Sequence, residues 1–333
     1  MKILIIAEVG INHNGKLHRA YQLIDAAKRA GADVVKFQIF IPELLATHYA
    51  KKSSYQKNFT KDKEKQIQML KNYALTFEEH KMLYLYSKKK KIKYCASPFD
   101  LESSLFLLNI GTKLIKIASG EINNYPLLKQ LSNFKGQLIL STGMSSLKEV
   151  KNAVDLIFKN GFKKKNLSLL YCCSSYPCPI KDIDLEIMKK LKHIFKLNVG
   201  FSDHSNLIEA PIAAVSSGAK IIEKHLTLNN NDIGPDHRSS LDVKQFSEMV
   251  RSIRIVEKLY GNGQKNIKPS EKENRKIVRK SIVAKENILK GDRFSTENLT
   301  TKRPGNGLSP MLWEYIIGKK AKKYFEKDDQ IKV

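Results

Sequence analysis

Val199-Gly200-Phe201-Ser202-Asp203-His204 and, one helix-length further on, Lys220-Ile221-Ile222-Glu223-Lys224-His225 decide the fold of this chain. Each is a short apolar run that ends in polar residues and a histidine. An unbroken apolar run of this length reads as a strand covered on both faces. If the two are neighbouring parallel strands, roughly 5 Å apart, both imidazoles leave the sheet at one rim and can hold one metal ion. A metal with only two protein ligands keeps positions open for water and a substrate oxygen, the arrangement of a Lewis acid rather than of a structural site.

Working outward, similar runs recur at Ile3–Glu8, Val34–Ile39, Ile92–Ala96, Leu114–Ala118, Leu138–Ser141 and Leu167–Cys172. Amphipathic stretches separate them, among them Arg19–Ala30, Ser145–Phe158 and Leu207–Ser217. Eight β-then-α units over about 250 residues predict a closed parallel (β/α)8 TIM barrel with a packed interior. The segment from Pro42 to Phe77 is longer and polar, and is a candidate lid. Beyond the last helical pattern, Val243–Tyr260, the breakers Gly261-Asn262-Gly263 open a charged linker. The expected organisation is a barrel domain over 1–262, a linker over 263–280 and a small module over 281–333, marginal alone by size.

The 333 residues carry a formal net charge of +26 and are 42% hydrophobic, enough for a large core. Lysine clusters such as Lys88–Lys91 and Lys163–Lys165 lie at helix ends or in the following loops, without interleaved aromatics. They read as solvated faces together with a basic pocket, so no nucleic-acid partner is expected. The first apolar run stops at Glu8, too short for a signal peptide or a membrane span. Cys95, Cys172, Cys173 and Cys178 have no framework spacing and read as reduced, mostly buried thiols in a cytoplasmic protein without a membrane partner.

Active sites of this barrel lie at the C-terminal ends of the strands. The residues gathered there are Glu8, Lys36, Gln38, Ser97, Lys116, Ser119, Glu121, Ser141, Tyr176, Ser202, His204, His225 and, beyond the last strand, Asp236. Two lysines and several hydroxyls suit a phosphate and a carboxylate held side by side, with acids left for proton transfer. Blander readings stand beside each. A strand-end histidine is commonly a satisfied core residue, and Ser119 and Ser141 could simply cap helices. Lys36 and Lys116 could be solvated. Their apolar neighbours suggest inward-facing ammoniums instead, which need a counter-charge or an anionic ligand. His13 reads as a loop-shaping residue.

Glu8-Val-Gly-Ile-Asn-His-Asn-Gly15, Val35-Lys-Phe-Gln38, Ser97-Pro-Phe99, Lys116-Ile-Ala-Ser-Gly-Glu-Ile-Asn-Asn124, Ser141-Thr-Gly-Met144, Ser202-Asp-His204, Glu223-Lys-His225 and Lys302-Arg-Pro-Gly-Asn-Gly307 together resemble the bacterial sialic acid synthase family. The motifs run in order over the whole chain. The resemblance implies a barrel followed by a small antifreeze-like (SAF) domain, in a domain-swapped homodimer that condenses phosphoenolpyruvate with an N-acetylated amino sugar to a nine-carbon 2-keto acid. It implies a divalent metal on His204 and His225, usually manganese, with magnesium or cobalt as alternatives. It places phosphoenolpyruvate on Lys36, Ser97, Lys116, Ser119, Ser141 and Ser202, and the sugar on Gln38, Glu121, Tyr176 and Asp236. Glu8 matches a catalytic carboxylate, and Arg303 a residue reaching the partner subunit's site.

Departures refine the expectation. Ser97 stands where many relatives have Thr, and Ser174 where some have Asn. Phe37 and the insertion at Ser53–Gln56 are more like legionaminic-type synthases, while Ser119–Asn124 is closer to the sialic and legionaminic branches than to pseudaminic acid synthases. The acceptor is then N-acetylmannosamine or a 2,4-diacetamido-trideoxy sugar. Two rival readings remain at this point. One is another phosphoenolpyruvate-dependent synthase acting on a phosphorylated sugar; the other is a non-enzymatic binder of polysaccharide or nucleic acid.

Overall fold

The computed structural model describes residues 2–53, 56 and 64–332. Part of the Ser53–Gln56 insertion and residues 57–63 of the candidate lid lie outside the described residues. Eight strands form the barrel: β1 (Leu4–Gly10), β2 (Val34–Ile39), β3 (Lys93–Pro98), β4 (Leu114–Ile117), β5 (Gln137–Ser141), β6 (Leu167–Cys172), β7 (Asn198–Asp203) and β8 (Ile221–His225). They pair in sequence order, and β8 closes on β1 in parallel with Glu8 beside His225. The (β/α)8 expectation holds.

Helices start where side chains can satisfy their free backbone N–H groups. Thr76, Ser146 and Asp242 each accept from the backbone three residues on, and Glu79, Glu149 and Gln245 answer reciprocally. Alternation along the strands divides the core in two. One set, including Val35, Phe37, Ile115, Leu169 and Phe201, packs outward against helix residues such as Leu23, Leu83 and Phe246. The other set, Ile6, Val34, Cys95, Leu114, Ile139, Leu170 and Ile221, fills the barrel interior. Phe37 stacks on Tyr94 with ring centroids 5.8 Å apart. It therefore faces the helices and cannot touch anything bound inside the barrel.

The apolar parts of the last two runs, Val199–Ser202 and Lys220–Glu223, stop short of the ends of their strands. β7 extends to Asp203 and β8 includes His225, because the polar residues there partner one another inside the sheet. Asp203 and Lys224, paired in register, form an ion pair that is fully buried on the outward side. Of the candidate lid, helices Pro42–Leu45 and Gln66–Tyr73 are described. Met69 and Leu70 pack with Ile11 and Phe40 just beyond β1 and β2, which seats this segment on the C-terminal rim. Gly15 lets it approach closely, since a Cβ there would lie 2.3 Å from the Asn72 carbonyl oxygen.

Residues Gly261–Val333 form a second compact unit. There β9 (Ser281–Ala284) pairs antiparallel with β10 (Leu299–Lys302), and a short helix spans Trp313–Ile316. Ile282, Ile288, Phe294, Phe325 and Ile331 give the unit a core of its own. Among the described residues no helix is long and apolar enough to cross a membrane.

Candidate active site

The site follows from the interior apolar layer by the period of a strand. Successive side chains alternate, so the residue two positions on points the same way. Two residues beyond Ile6, Val34, Cys95, Leu114, Ile139, Leu170, Gly200 and Ile221 stand Glu8, Lys36, Ser97, Lys116, Ser141, Cys172, Ser202 and Glu223. All eight are buried. Each strand contributes one member to this ring, and seven of the eight are polar. Gly200 belongs to the layer beneath for a steric reason, because a Cβ there would sit 2.3 Å from the Ile221 carbonyl oxygen.

Glu223 is the hub of the ring. It accepts from the Ser202 hydroxyl at 2.8 Å and lies 3.4 Å from the Lys116 ammonium and 3.6 Å from that of Lys36. Lys36 also meets Glu8 at 3.0 Å and donates to Ser97 Oγ at 3.2 Å. Burial alone would push the Glu223 carboxyl up; the two ammoniums and the Ser202 hydroxyl outweigh it and hold it at about 2. Glu8 goes the other way. Burial raises it more than Lys36 lowers it, and the Glu223 charge adds to the rise. Two neighbouring acids thus differ in readiness to take a proton, a pattern that assigns separate roles. Lys36 is raised because the fields of Glu223 and Glu8 exceed its desolvation. The counter-charge these lysines require is present in the protein itself.

One step further along the strands the groups change. Around Gly10, whose φ is +53°, a Cβ would meet Glu8 Oε1 at 3.2 Å, Gln38 Nε2 at 3.3 Å and Asp236 Oδ2 at 3.4 Å. The missing side chain is what lets these three converge. Burial and the nearby Glu8 charge raise Asp236 to about 7. Opposite them, His204 Nδ1 lies 2.7 Å from the Cys173 carbonyl oxygen and so donates to it, leaving Nε2 as the free lone pair. Tyr176 Oη and Ser202 Oγ approach Nε2 at 3.3 and 3.4 Å. The His204 and His225 rings are 5.6 Å apart. Burial lowers His204 to about 4 and His225 well below its usual value, so both are neutral. His225 Nδ1 is buried without a hydrogen-bond partner. Two neutral imidazoles, each with a nitrogen to spare, fit a divalent cation; no cluster of three or more ligating side chains exists among the described residues.

A cradle for an anion adjoins the ring. Gly143 N donates to Ser119 Oγ at 3.1 Å, and a Cβ on Gly143 would lie 2.2 Å from Ser174 Oγ and 2.9 Å from Ser119 Oγ. Ser141 Oγ is buried with no hydrogen-bond partner. Neither serine caps a helix, since Asn124 and Ser146 take those places. Hydroxyls around a vacant Cβ position suit oxyanion oxygens.

The structure therefore brings together Glu8, Lys36, Gln38, Ser97, Lys116, Ser119, Ser141, Tyr176, Ser202, His204, His225 and Asp236. Glu121 stands somewhat apart, accepting from Asn124 at 2.6 Å and raised by burial. Arg303 is exposed in the second unit. Glu223 was not among the residues expected at the site, and Ser174 was noted only as standing where some relatives have Asn. The signal for Glu223 was its spacing from His225, which puts both on one face of β8.

A buried ring of lysines, acids and hydroxyls under a histidine pair, at the C-terminal mouth of a (β/α)8 barrel, defines an enzyme of anionic small molecules. Comparison with known proteins narrows this. The NeuB family profile matches residues 23–265 and the SAF domain residues 279–332. The chain is 46% identical over 331 residues, 99% of each chain, to the N,N'-diacetyllegionaminic acid synthase of Campylobacter jejuni. It is 40% identical to that of Legionella pneumophila, covering 96% of this chain and 90% of the other. The N-acetylneuraminic acid synthetase of Leptospira borgpetersenii superposes with a TM-score of 0.71 at 34% identity, over 82% of this chain and 90% of that one. The chain belongs to the NeuB family and ends in a SAF domain; it is an enzyme of the sialic acid synthase type.

Proposed function

We propose that the protein condenses phosphoenolpyruvate with a 2,4-diacetamido-2,4,6-trideoxymannose-type sugar, giving N,N'-diacetyllegionaminate and phosphate. The ring of eight strand-borne residues carries the reaction class. The full-length 46% identity to a legionaminic acid synthase favours this acceptor over N-acetylmannosamine. Pseudaminic acid synthase of Campylobacter jejuni and human N-acetylneuraminate-9-phosphate synthase are more distant, at 35% and 31%.

In this reading Lys36 and Lys116 hold the anionic groups of phosphoenolpyruvate, with Ser97, Ser119, Ser141 and Ser202 around the oxygens. Fixing both ends of that molecule aims its C3 at the sugar aldehyde. Gln38, Asp236 and Tyr176 position the sugar, with Glu121 at its far end. A divalent cation on His204 and His225, manganese first, would supply Lewis-acid polarisation of the sugar carbonyl. The bond from C3 to the aldehyde carbon forms as the carbonyl π bond breaks, its oxygen takes a proton from solvent to become a hydroxyl, and C2 gains cationic character. Glu8, beside C2, stabilises that charge and takes the proton of the water that adds there. The C2–O bond then breaks, phosphate leaves and the 2-keto group remains. Arg303 of a second, domain-swapped copy would complete the sugar side. The four cysteines are free thiols, consistent with a cytoplasmic setting.

The product decides between the readings. Mass spectrometry of a reaction with phosphoenolpyruvate, manganese and each sugar in turn should show the diacetamido nine-carbon acid as the main product. N-acetylneuraminate formed in preference would reassign the acceptor. A product seen only with phosphorylated sugars would move the enzyme to the rival synthase class.

A further inference from the structure

We infer that the opposite, N-terminal face of the barrel holds a second binding site, for a nucleoside polyphosphate. A cavity of about 640 Å³ opens there between the beginnings of β1, β2, β3 and β4. That is the size of a pocket for a ligand of a few hundred daltons. Its rim is formed by Lys2, Lys28, Lys88, Lys91, Lys93 and Lys113, against a single carboxylate, Asp33. The lysine richness of the whole chain accounts for many exposed ammoniums. It does not account for six of them around one concavity with one acid.

That acid is already committed. Asp33 binds Lys2 at 2.7 Å and Arg254 at 2.6 Å, and accepts from Ile5 N at 3.0 Å. Two of the other cations have local partners: Lys28 donates to the Lys91 carbonyl oxygen at 2.7 Å, and Lys88 lies 4.2 Å from the Tyr84 ring centre. Lys91, Lys93 and Lys113 have no carboxylate partner among the described residues. Lys93 begins β3 and Lys113 immediately precedes β4, and Ala96 pairs with Ile115 across these strands. The two backbones are thus roughly 5 Å apart where the lysines leave them. Both residues line the same cavity, which gathers positive charge at its mouth.

Beneath the rim the wall changes character. Leu4, Ile92, Leu114 and the Tyr84 ring line the same cavity. A simple inorganic anion would leave this apolar surface unused. A ligand with a flat, weakly polar body and a charged tail uses both parts, with the base on the wall and the phosphates on the lysines. The site lies across the barrel from the catalytic mouth, so an occupant would not touch the substrates. The inference does not depend on which sugar the enzyme uses.

Calorimetric titration of the full-length protein with ATP, in saturating phosphoenolpyruvate to keep the catalytic mouth filled, tests it. Saturable binding is expected, weakening as salt rises because the contacts are ionic. Inorganic tripolyphosphate should bind at least about tenfold more weakly than ATP, the share owed to the base. The exposed double variant K93E/K113E should lose ATP affinity by about tenfold or more while keeping its thermal midpoint and basal turnover. Four results would overturn the inference: no saturable ATP binding, binding unchanged in K93E/K113E, binding displaced by phosphoenolpyruvate, or tripolyphosphate binding as tightly as ATP.

Discussion

Single residues set the chemistry by what surrounds them. Glu8 and Glu223 have the same side chain and lie in one ring, yet burial raises the first while two ammoniums lower the second to about 2. Glu8→Gln should keep phosphoenolpyruvate affinity within about threefold and lower kcat by on the order of 100-fold or more, as loss of a general base does. Binding by calorimetry beside steady-state turnover checks both halves, and near-normal turnover would remove Glu8 from the chemistry. Asp236 offers a test by pH. Its carboxyl is raised to about 7 by burial and by Glu8, so the folded state binds a proton there that the unfolded chain, with an ordinary Asp near 4, does not. Stability contributed at this position is therefore lost as pH rises from about 4 through 7. Asp236→Asn should match the parent near pH 4 and melt higher at pH 8 in metal-free protein; melting curves at the two values decide it. At Gly143 a new methyl would fill the serine cradle. Gly143→Ala should raise the phosphoenolpyruvate KM by about tenfold or more and, because the new Cβ would press on Ser174, Cys172 and Ser119, lower stability by about 1–3 kcal/mol.

At the scale of elements, the strands supply the ring and the loops supply its orientation. The loop after β7 carries His204, and the buried Lys224 on β8 holds that loop through Asp203 and the carbonyl oxygens of Ser205 and Leu207. Lys224→Met leaves Asp203 buried and unpaired, which costs about 3–5 kcal/mol. Denaturant unfolding should show that loss; an unchanged midpoint would deny the pair its structural role. The legibility of the sequence also divides by element. Lys36 and Lys116 could be placed inward because apolar residues flank each of them, and the histidines because each closes an apolar run. Glu223 could not, because Glu223-Lys224 is polar on both faces of β8: one residue serves the ring and the other the buried pair outside it. Phe37 shows the converse. Its likeness to legionaminic-type chains suggested a link to the acceptor, but alternation turns it toward Tyr94 and the helices. The Gly143 cradle was invisible for another reason, since it joins β4, β5 and β6 through contacts that no local pattern announces.

For the whole molecule, the apolar rhythm was sufficient to predict a closed eight-stranded barrel followed in sequence by a small separate unit. Strand order, parallel pairing and the position of the site at one mouth follow from that rhythm and from the handedness of βα units. The acceptor sugar does not follow, because it depends on a few contacts at the rim rather than on the barrel. Arg303 belongs to this scale, since it lies outside the barrel unit. Arg303→Ala should raise the sugar KM at least about tenfold and leave that of phosphoenolpyruvate nearly unchanged; equal effects on both would take it off the sugar side. The most direct test of the whole account is release of inorganic phosphate from phosphoenolpyruvate by the manganese-loaded protein. It compares 2,4-diacetamido-2,4,6-trideoxymannose with N-acetylmannosamine. Release is expected with both components present, and faster with the diacetamido sugar. Folded, metal-loaded protein that releases no phosphate with either sugar would contradict it.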